Sequence, residues 1–195
     1  MYNHMLYSIC NQKGVELMED IMELAREIVI RTYGNNPCIA IVRGTCRRWD
    51  SRKMGDRTIS CGMFRQTIIP NSHQFVIKTG MVQGGNRQCR RELTFYKEAV
   101  KAGLGQYFAK CYGTFRCGSC TFYVYEYVDG IGEGNGDATE YIDNDDLQDF
   151  LDEHEIGDLH FENYALTEDN QIVLTDYSGY WGNDTVGMRT ISWSY

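Results

Sequence analysis

The chain has 195 residues, 43% of them apolar, enough for one domain or a compact two-lobed one with a buried core. Lys and Arg total 19 against 27 Asp and Glu; the net charge of -8 argues against a general nucleic-acid binder, which carries a basic stripe. No apolar run approaches the ~20 residues that span a bilayer, and the opening MYNHMLYSICNQKG lacks the basic start and apolar core of a signal peptide, so a cytoplasmic location without membrane contact is expected.

Val15, Met18, Met22, Ala25 and Val29 recur at helical spacing and predict a helix over 15–33, stopped by the GNN that follows. Residues 35–56 read as irregular. Their basic cluster, Arg47, Arg48, Arg52 and Lys53, is either a solvated face or a contact for an acidic partner. Three short strands follow, at 57–60, 64–69 and 74–79, where β-branched and aromatic residues lie between turn formers. The next helix has Asn86 as a candidate N-cap and Gly103 as its stop, with Cys89, Leu93, Tyr96 and Val100 on one face.

Residues 107–115 and 120–128 read as a hairpin, 129–142 as a Gly-rich acidic loop, and 143–154 as a short helix with Leu147, Phe150, Leu151 and His154 on one side. YALT and QIVLTDY form a last hairpin closed by EDN, before an aromatic tail holding Trp181, Trp193 and Tyr195. That tail either packs on its own lobe or offers a docking surface.

Eight cysteines in a reducing compartment are expected to be thiols. Cys117 and Cys120 form a C-x-x-C pair with Cys111 nearby. No second pair completes a tetrahedral zinc site, so the alternative is small residues around a hairpin turn.

The segment DLHFENYALTEDNQIVLTDYSG places Asp158, Asn163 and Asp176 at the two ends of the last hairpin. A hairpin returns to its origin, so these side chains group at one end. Phosphoryl transfer needs such a group: metal ligands at the β- and γ-phosphates, a carboxylate near the attacking hydroxyl, and a cation on the α- and β-phosphates. Asp and Asn are also ordinary turn formers, which is the plainer explanation for each alone.

The ordered motifs resemble the protein-kinase-like fold, and the small kinase-like proteins of tailed bacteriophages in particular. D-L-H-F-E-N followed by D-Y-S-G resembles the catalytic loop and metal-binding triplet, in the form with His160 third. F-V-I-K ending at Lys78 resembles the phosphate-lysine strand, G-M-F at Gly62 the remainder of a Gly-rich loop, and Y-E-Y-V at 125–128 the interlobe hinge.

The resemblance implies an α+β fold, a truncated protein-kinase-like one. Residues 1–56 would be an N-terminal helical extension, 57–128 an antiparallel-sheet N-lobe with one main helix, and 129–195 a minimal C-lobe with the catalytic loop. It implies that Lys78 pairs with the α- and β-phosphates of ATP, that Gly62 and Tyr127 contact the nucleotide, and that Asp158 accepts the hydroxyl proton. Asn163 and Asp176 would hold magnesium. A helix glutamate should pair with Lys78. The expected apolar stripe leaves Glu92 roughly 70° from its centre and Glu98 almost opposite, so Glu92 is assigned. His160 is expected to be a structural hydrogen-bonder, and Cys61 a small filler.

The chain departs from the family in having a single glycine at the loop, only about 30 residues between hinge and Asp158, and 19 after Asp176. The exposed apolar surface of so short a lobe would be covered by a partner or by a second copy. Two functions follow as expectations. One is an ATP- and Mg-dependent phosphotransferase acting on a host protein or a small hydroxyl compound in the host cytoplasm. The other is a weak or inactive kinase-like protein that docks on and inhibits a host defence complex.

Overall fold

The computed structural model describes residues 2–47, 49–129 and 138–178, and for 2–16 the backbone course alone. The chain is mixed α+β and divides into two compact units, Met1–Met81 with Cys111–Tyr127 and Val82–Lys110 with Val128–Tyr195. Four α-helices are present among the described residues, none long and apolar enough to cross a membrane.

The first unit contains helices α1 (Tyr2–Tyr33) and α2 (Ile39–Thr45) and strands β1 (Asp50–Met54), β2 (Arg57–Cys61), β3 (Arg65–Pro70), β4 (Phe75–Gly80), β5 (Cys111–Cys117) and β6 (Cys120–Glu126). The strands form one antiparallel sheet in the order β1-β2-β3-β4-β6-β5. Alternation sends Ile59, Ile68, Phe75, Ile77, Phe122 and Val124 to one face, where they meet Ile21, Ala25, Ile28 and Val29 of α1. Each Ile, Val or Phe among them contributes about 1.5–3 kcal/mol on full burial. The helix stripe is turned slightly from the expected one: Ile21 and Ile28 are buried, while Met18 and Met22 are half-buried. Gly34, at φ +85°, closes α1 by donating its N–H to Ile30 O at 2.8 Å, the left-handed stop expected of GNN.

Residues 35–56 are not irregular. They hold α2 and β1, which apolar periodicity cannot reveal because α2 buries only Val42 and β1 has four exposed residues of five. In the hairpin of β5 and β6 the first strand starts later than expected, at Cys111, and the second begins at Cys120 as expected. Cys117 and Cys120 face each other across the turn itself, and Tyr107 ends a 3-10 turn instead of opening a strand. Gly118, at φ +55°, presses this turn against the loop after α1, where Ser119 N–H donates to Pro37 O at 3.1 Å.

Gln66 is fully buried in this core. Its Oε1 accepts the Tyr33 hydroxyl, and its amide nitrogen donates to Val42 O at 3.2 Å and Cys61 Sγ at 2.9 Å. One amide therefore joins α1, α2 and β2, with each of its donors and its acceptor used. Burial pushes the Cys61 thiol up to about 12 and raises Tyr33 strongly. That makes Cys61 a filler with little thiolate character.

The second unit contains α3 (Gln83–Lys101), α4 (Asp145–Glu153), β7 (Tyr164–Leu166) and β8 (Ile172–Leu174). Helix α3 starts one turn earlier than expected. Val82 is its N-cap, with no side-chain cap bond, and Asn86 N–H already donates to Val82 O at 3.1 Å. Its buried face is Gly84, Gly85, Gln88, Cys89, Glu92 and Ala99, while Val100 is 50% exposed. The buried face is therefore rotated from the expected stripe, sharing Cys89 with it, and Glu92 stands near its middle. Besides Cys89 and Ala99 that face is glycine and polar residues, so an apolar count places it poorly.

Asn144 caps α4, its Oδ1 accepting Leu147 N–H at 2.9 Å, and the helix buries Leu147, Phe150 and Leu151. Phe108 lies edge-on to Phe150 and Tyr177, with ring centroids 5.6 and 5.0 Å away. Of the acidic loop, 138–141 form a 3-10 turn, while 130–137 and the aromatic tail from 179 lie outside the described residues.

Two outcomes follow. Gly118→Ala forces a Cβ onto Pro37 O in a left-handed backbone, so urea unfolding should show a loss of about 2 kcal/mol. The folded chain also keeps the Cys61 and Tyr33 protons after the unfolded chain has released them. Stability is then flat below the ordinary thiol value of 9.0 and falls as pH rises from there toward about 12, which urea midpoints at about pH 8 and about pH 11 would compare.

Candidate functional site

The segment 157–178 lies wholly in the second unit. Strands β7 and β8 pair antiparallel, with Tyr164 opposite Leu174. Thr167 closes the turn between them: its N–H donates to Gln171 O at 3.0 Å, its Oγ1 accepts Gln171 N–H at 3.1 Å, and Asn170 takes φ +59°. This is the hairpin expected from EDN.

At the open end, Asn163 collects the loop. Its backbone oxygen accepts both Thr175 N–H at 2.8 Å and Asp176 N–H at 3.1 Å. Its side-chain nitrogen donates to Asp158 O at 2.7 Å. An oxygen could not sit that close to a carbonyl oxygen, so the amide orientation is settled and Oδ1 is the end that can face a cation. Asn163 itself is buried. Asp158, Asn163 and Asp176 are thus brought to one end of one hairpin, as their spacing predicts.

His160 joins them. It caps the 3-10 turn Phe161–Asn163, its Nδ1 accepting Glu162 N–H at 3.3 Å. Its Nε2 lies 3.5 Å from Asp158 Oδ1 and 3.2 Å from Asn163 Nδ2, the ring tautomer setting which of these contacts it donates to or accepts from. The ring thus bonds within the loop between Asp158 and Asn163. Ser178 Oγ donates to Asp176 Oδ1 at 3.4 Å.

All the groups that could hold a cation here are oxygens, the set that suits magnesium. Among the described residues no three His, Cys, Asp or Glu side chains converge on one point. A cation at this hairpin would be held by Asn163 and Asp176 together with phosphate oxygens and water, which is how magnesium is usually bound.

Glu92, in the same unit, is fully buried on α3. Glu98 is engaged elsewhere: its Oε2 lies 3.0 Å from His154 Nε2, and His154 Nδ1 is 3.0 Å from Phe150 O. Nothing in the sequence pattern shows this contact between α3 and α4.

Lys78, Gly62 and Tyr127 belong to the first unit. Lys78 sits on β4 and is 6% exposed, with Nζ 4.8 Å from the centroid of the Tyr125 ring. A cation over an aromatic face in a desolvated place gains about 2 kcal/mol. Gly62 starts a tight turn, its N–H donating to Arg65 O at 3.0 Å. A Cβ there would meet only that oxygen, at 3.8 Å, so the turn does not itself need glycine. The Tyr127 ring stacks on His73 at 4.6 Å, so its peptide groups remain for a ligand more than its ring.

Cys117 and Cys120 are buried on the sheet hairpin; Cys117 Sγ lies 3.5 Å from Asn35 O, and burial raises the Cys120 thiol. Both serve as packing around a turn.

Asn163→Ala removes a buried side-chain bond and loosens the meeting of residues 158 and 176. Denaturant unfolding should show a loss of about 1–3 kcal/mol, against less than about 1 kcal/mol for the half-exposed His160→Ala.

In comparisons with known proteins, no family model and no curated protein matches this chain.

Proposed function

We propose that the chain is an ATP- and magnesium-dependent phosphotransferase on a truncated protein-kinase-like fold, acting on a host protein or a small hydroxyl compound. The observation that carries this is the Asn163 joint. It engages the amide nitrogen and leaves Oδ1 as the end able to meet a cation, draws Asp176 in through its backbone amide, and leaves the Asp158 carboxylate part-exposed.

In this reading Asp158 orients the attacking hydroxyl and takes its proton, while His160 holds the carboxylate in place. Asn163 and Asp176 hold magnesium, which neutralises charge on the β- and γ-phosphates. Lys78 supplies the cation for the α- and β-phosphates, and its burial against Tyr125 restricts its rotamers in advance. Glu92 is the glutamate partner, supported by its burial and by the engagement of Glu98 with His154. Gly62 and the backbone at Tyr127 contact the nucleotide.

A second reading, a kinase-like protein that docks on and inhibits a host complex, draws on the Gly62 turn. Its amide is already bonded to Arg65 O and so is not offered to a phosphate.

Incubation with γ-labelled ATP, magnesium and a bacterial lysate separates the two. The expected result is label on an acceptor, reduced at least about 100-fold in Asp158→Ala and in Lys78→Ala. No transfer, with no heat of ATP binding in calorimetry, overturns the enzyme and leaves the docking protein.

A further inference from the structure

A pocket of about 520 Å³ opens on the first unit, lined by Arg43, Gly44 and Thr45 at the end of α2, by Cys46, Arg47, Asp50 and Arg52, and by Met81. Its size is that of a small-molecule site. Lys78, Gly62 and Tyr127 are not among its lining residues.

We propose that this pocket is an anion site for a phosphorylated small molecule, separate from the hairpin of Asp158 and Asp176. Three arginines and one aspartate line it, and among the described residues Arg43, Arg47 and Arg52 make no ion pair. The end of α2 opposes an anion with at most about half a charge, well short of the three arginines. Guanidinium forks match phosphate oxygens two at a time, which is why arginine is favoured over lysine at such sites.

The chain as a whole carries -8, so a local basic concavity inside an acidic protein selects a compact anion over an extended polyanion, which the remaining surface repels. The buried Cys46 and Met81 give the pocket an apolar floor. That floor suits the organic part of a phosphate ester. Asp50 Oδ1 accepts Ser51 N–H at 2.8 Å, which engages one of its two carboxylate oxygens.

Gly44 allows a test that leaves the fold intact. A Cβ at Gly44 meets no atom within 4 Å, and its helical position tolerates a larger residue. Gly44→Leu would add a bulky side chain at the pocket lining with no clash at its Cβ. Calorimetry with inorganic pyrophosphate and with ADP, in EDTA and near-physiological salt, on the full chain carrying Lys78→Ala, keeps the outcome independent of the proposed kinase site.

Saturable 1:1 binding is expected, weakened roughly tenfold by Arg47→Ala or Arg52→Ala and lost in Gly44→Leu at an unchanged or higher unfolding midpoint. ADP tighter than pyrophosphate identifies an organic phosphate as the ligand, and the reverse an inorganic one; either upholds the site. No saturable heat up to millimolar probe, or binding unaffected by Gly44→Leu and the arginine variants, overturns it. So does an equal affinity for a single-stranded oligonucleotide, which would mark a general polyanion patch.

Discussion

The double acceptance at the Asn163 carbonyl is the joint on which the second unit's chemistry depends. Two successive amides, of Thr175 and Asp176, converge on one oxygen, while the side chain of the same residue ties back to Asp158. The two ends of a segment of some twenty residues are thereby held by one residue. The side-chain tie reaches the residue 158 end and the backbone tie the residue 176 end. The hairpin turn at Thr167 and Asn170 shortens the loop that must be closed, which lowers the entropy cost of the joint. The parallel bridge from Phe108 to Leu174 anchors the outgoing strand in the aromatic cluster with Phe150 and Tyr177. A polar site thus rests on an apolar floor, and the two halves are continuous through β8.

The first unit uses a different device for a similar purpose. Gln66 sits where the alternation of β3 would place an apolar side chain, and it connects two helices and a neighbouring strand through hydrogen bonds of defined direction. Apolar packing alone tolerates small slides of a helix over a sheet. A buried amide with fixed partners does not, because every slide leaves a donor or acceptor unpaired. Arg57 adds a second fix at the helix end, donating to Ile28 O and Thr32 Oγ1 while paired to Asp56.

Much of this was legible in the sequence wherever burial and periodicity agree. Strand β3 alternates cleanly, β2 and β4 stand out by their β-branched and aromatic residues between turn formers, α4 has an amphipathic face with a capping Asn, and the last hairpin announces its turn. The spacing of Asp158, Asn163 and Asp176 anticipated their grouping. What was not legible has a common cause. The inner face of α3 includes two glycines, Gln88 and Glu92 beside Cys89 and Ala99, so a hydrophobic count pulled the stripe toward Val100, which is half-exposed. Helix α2 and strand β1 are covered on at most one side, and their residues carry no period to read. The tie between Glu98 and His154 joins residues 56 apart, a distance that local pattern does not span.

Strand β1 has one further consequence. It is the outer strand of a six-stranded sheet, paired only on its β2 side, and its sequence is DSRKM with four exposed residues. An unpaired strand edge is a template for another molecule's strand, and a second chain could in principle add to it. Asp50, Arg52 and Lys53 place full charges along that edge, and any strand docking there would have to desolvate them. The opposite edge, β5, is interrupted by a bulge between Cys111 and Gly113, which breaks the regular ladder a newcomer needs. The sheet therefore ends in charge on one side and irregularity on the other, and growth into filaments is discouraged at both.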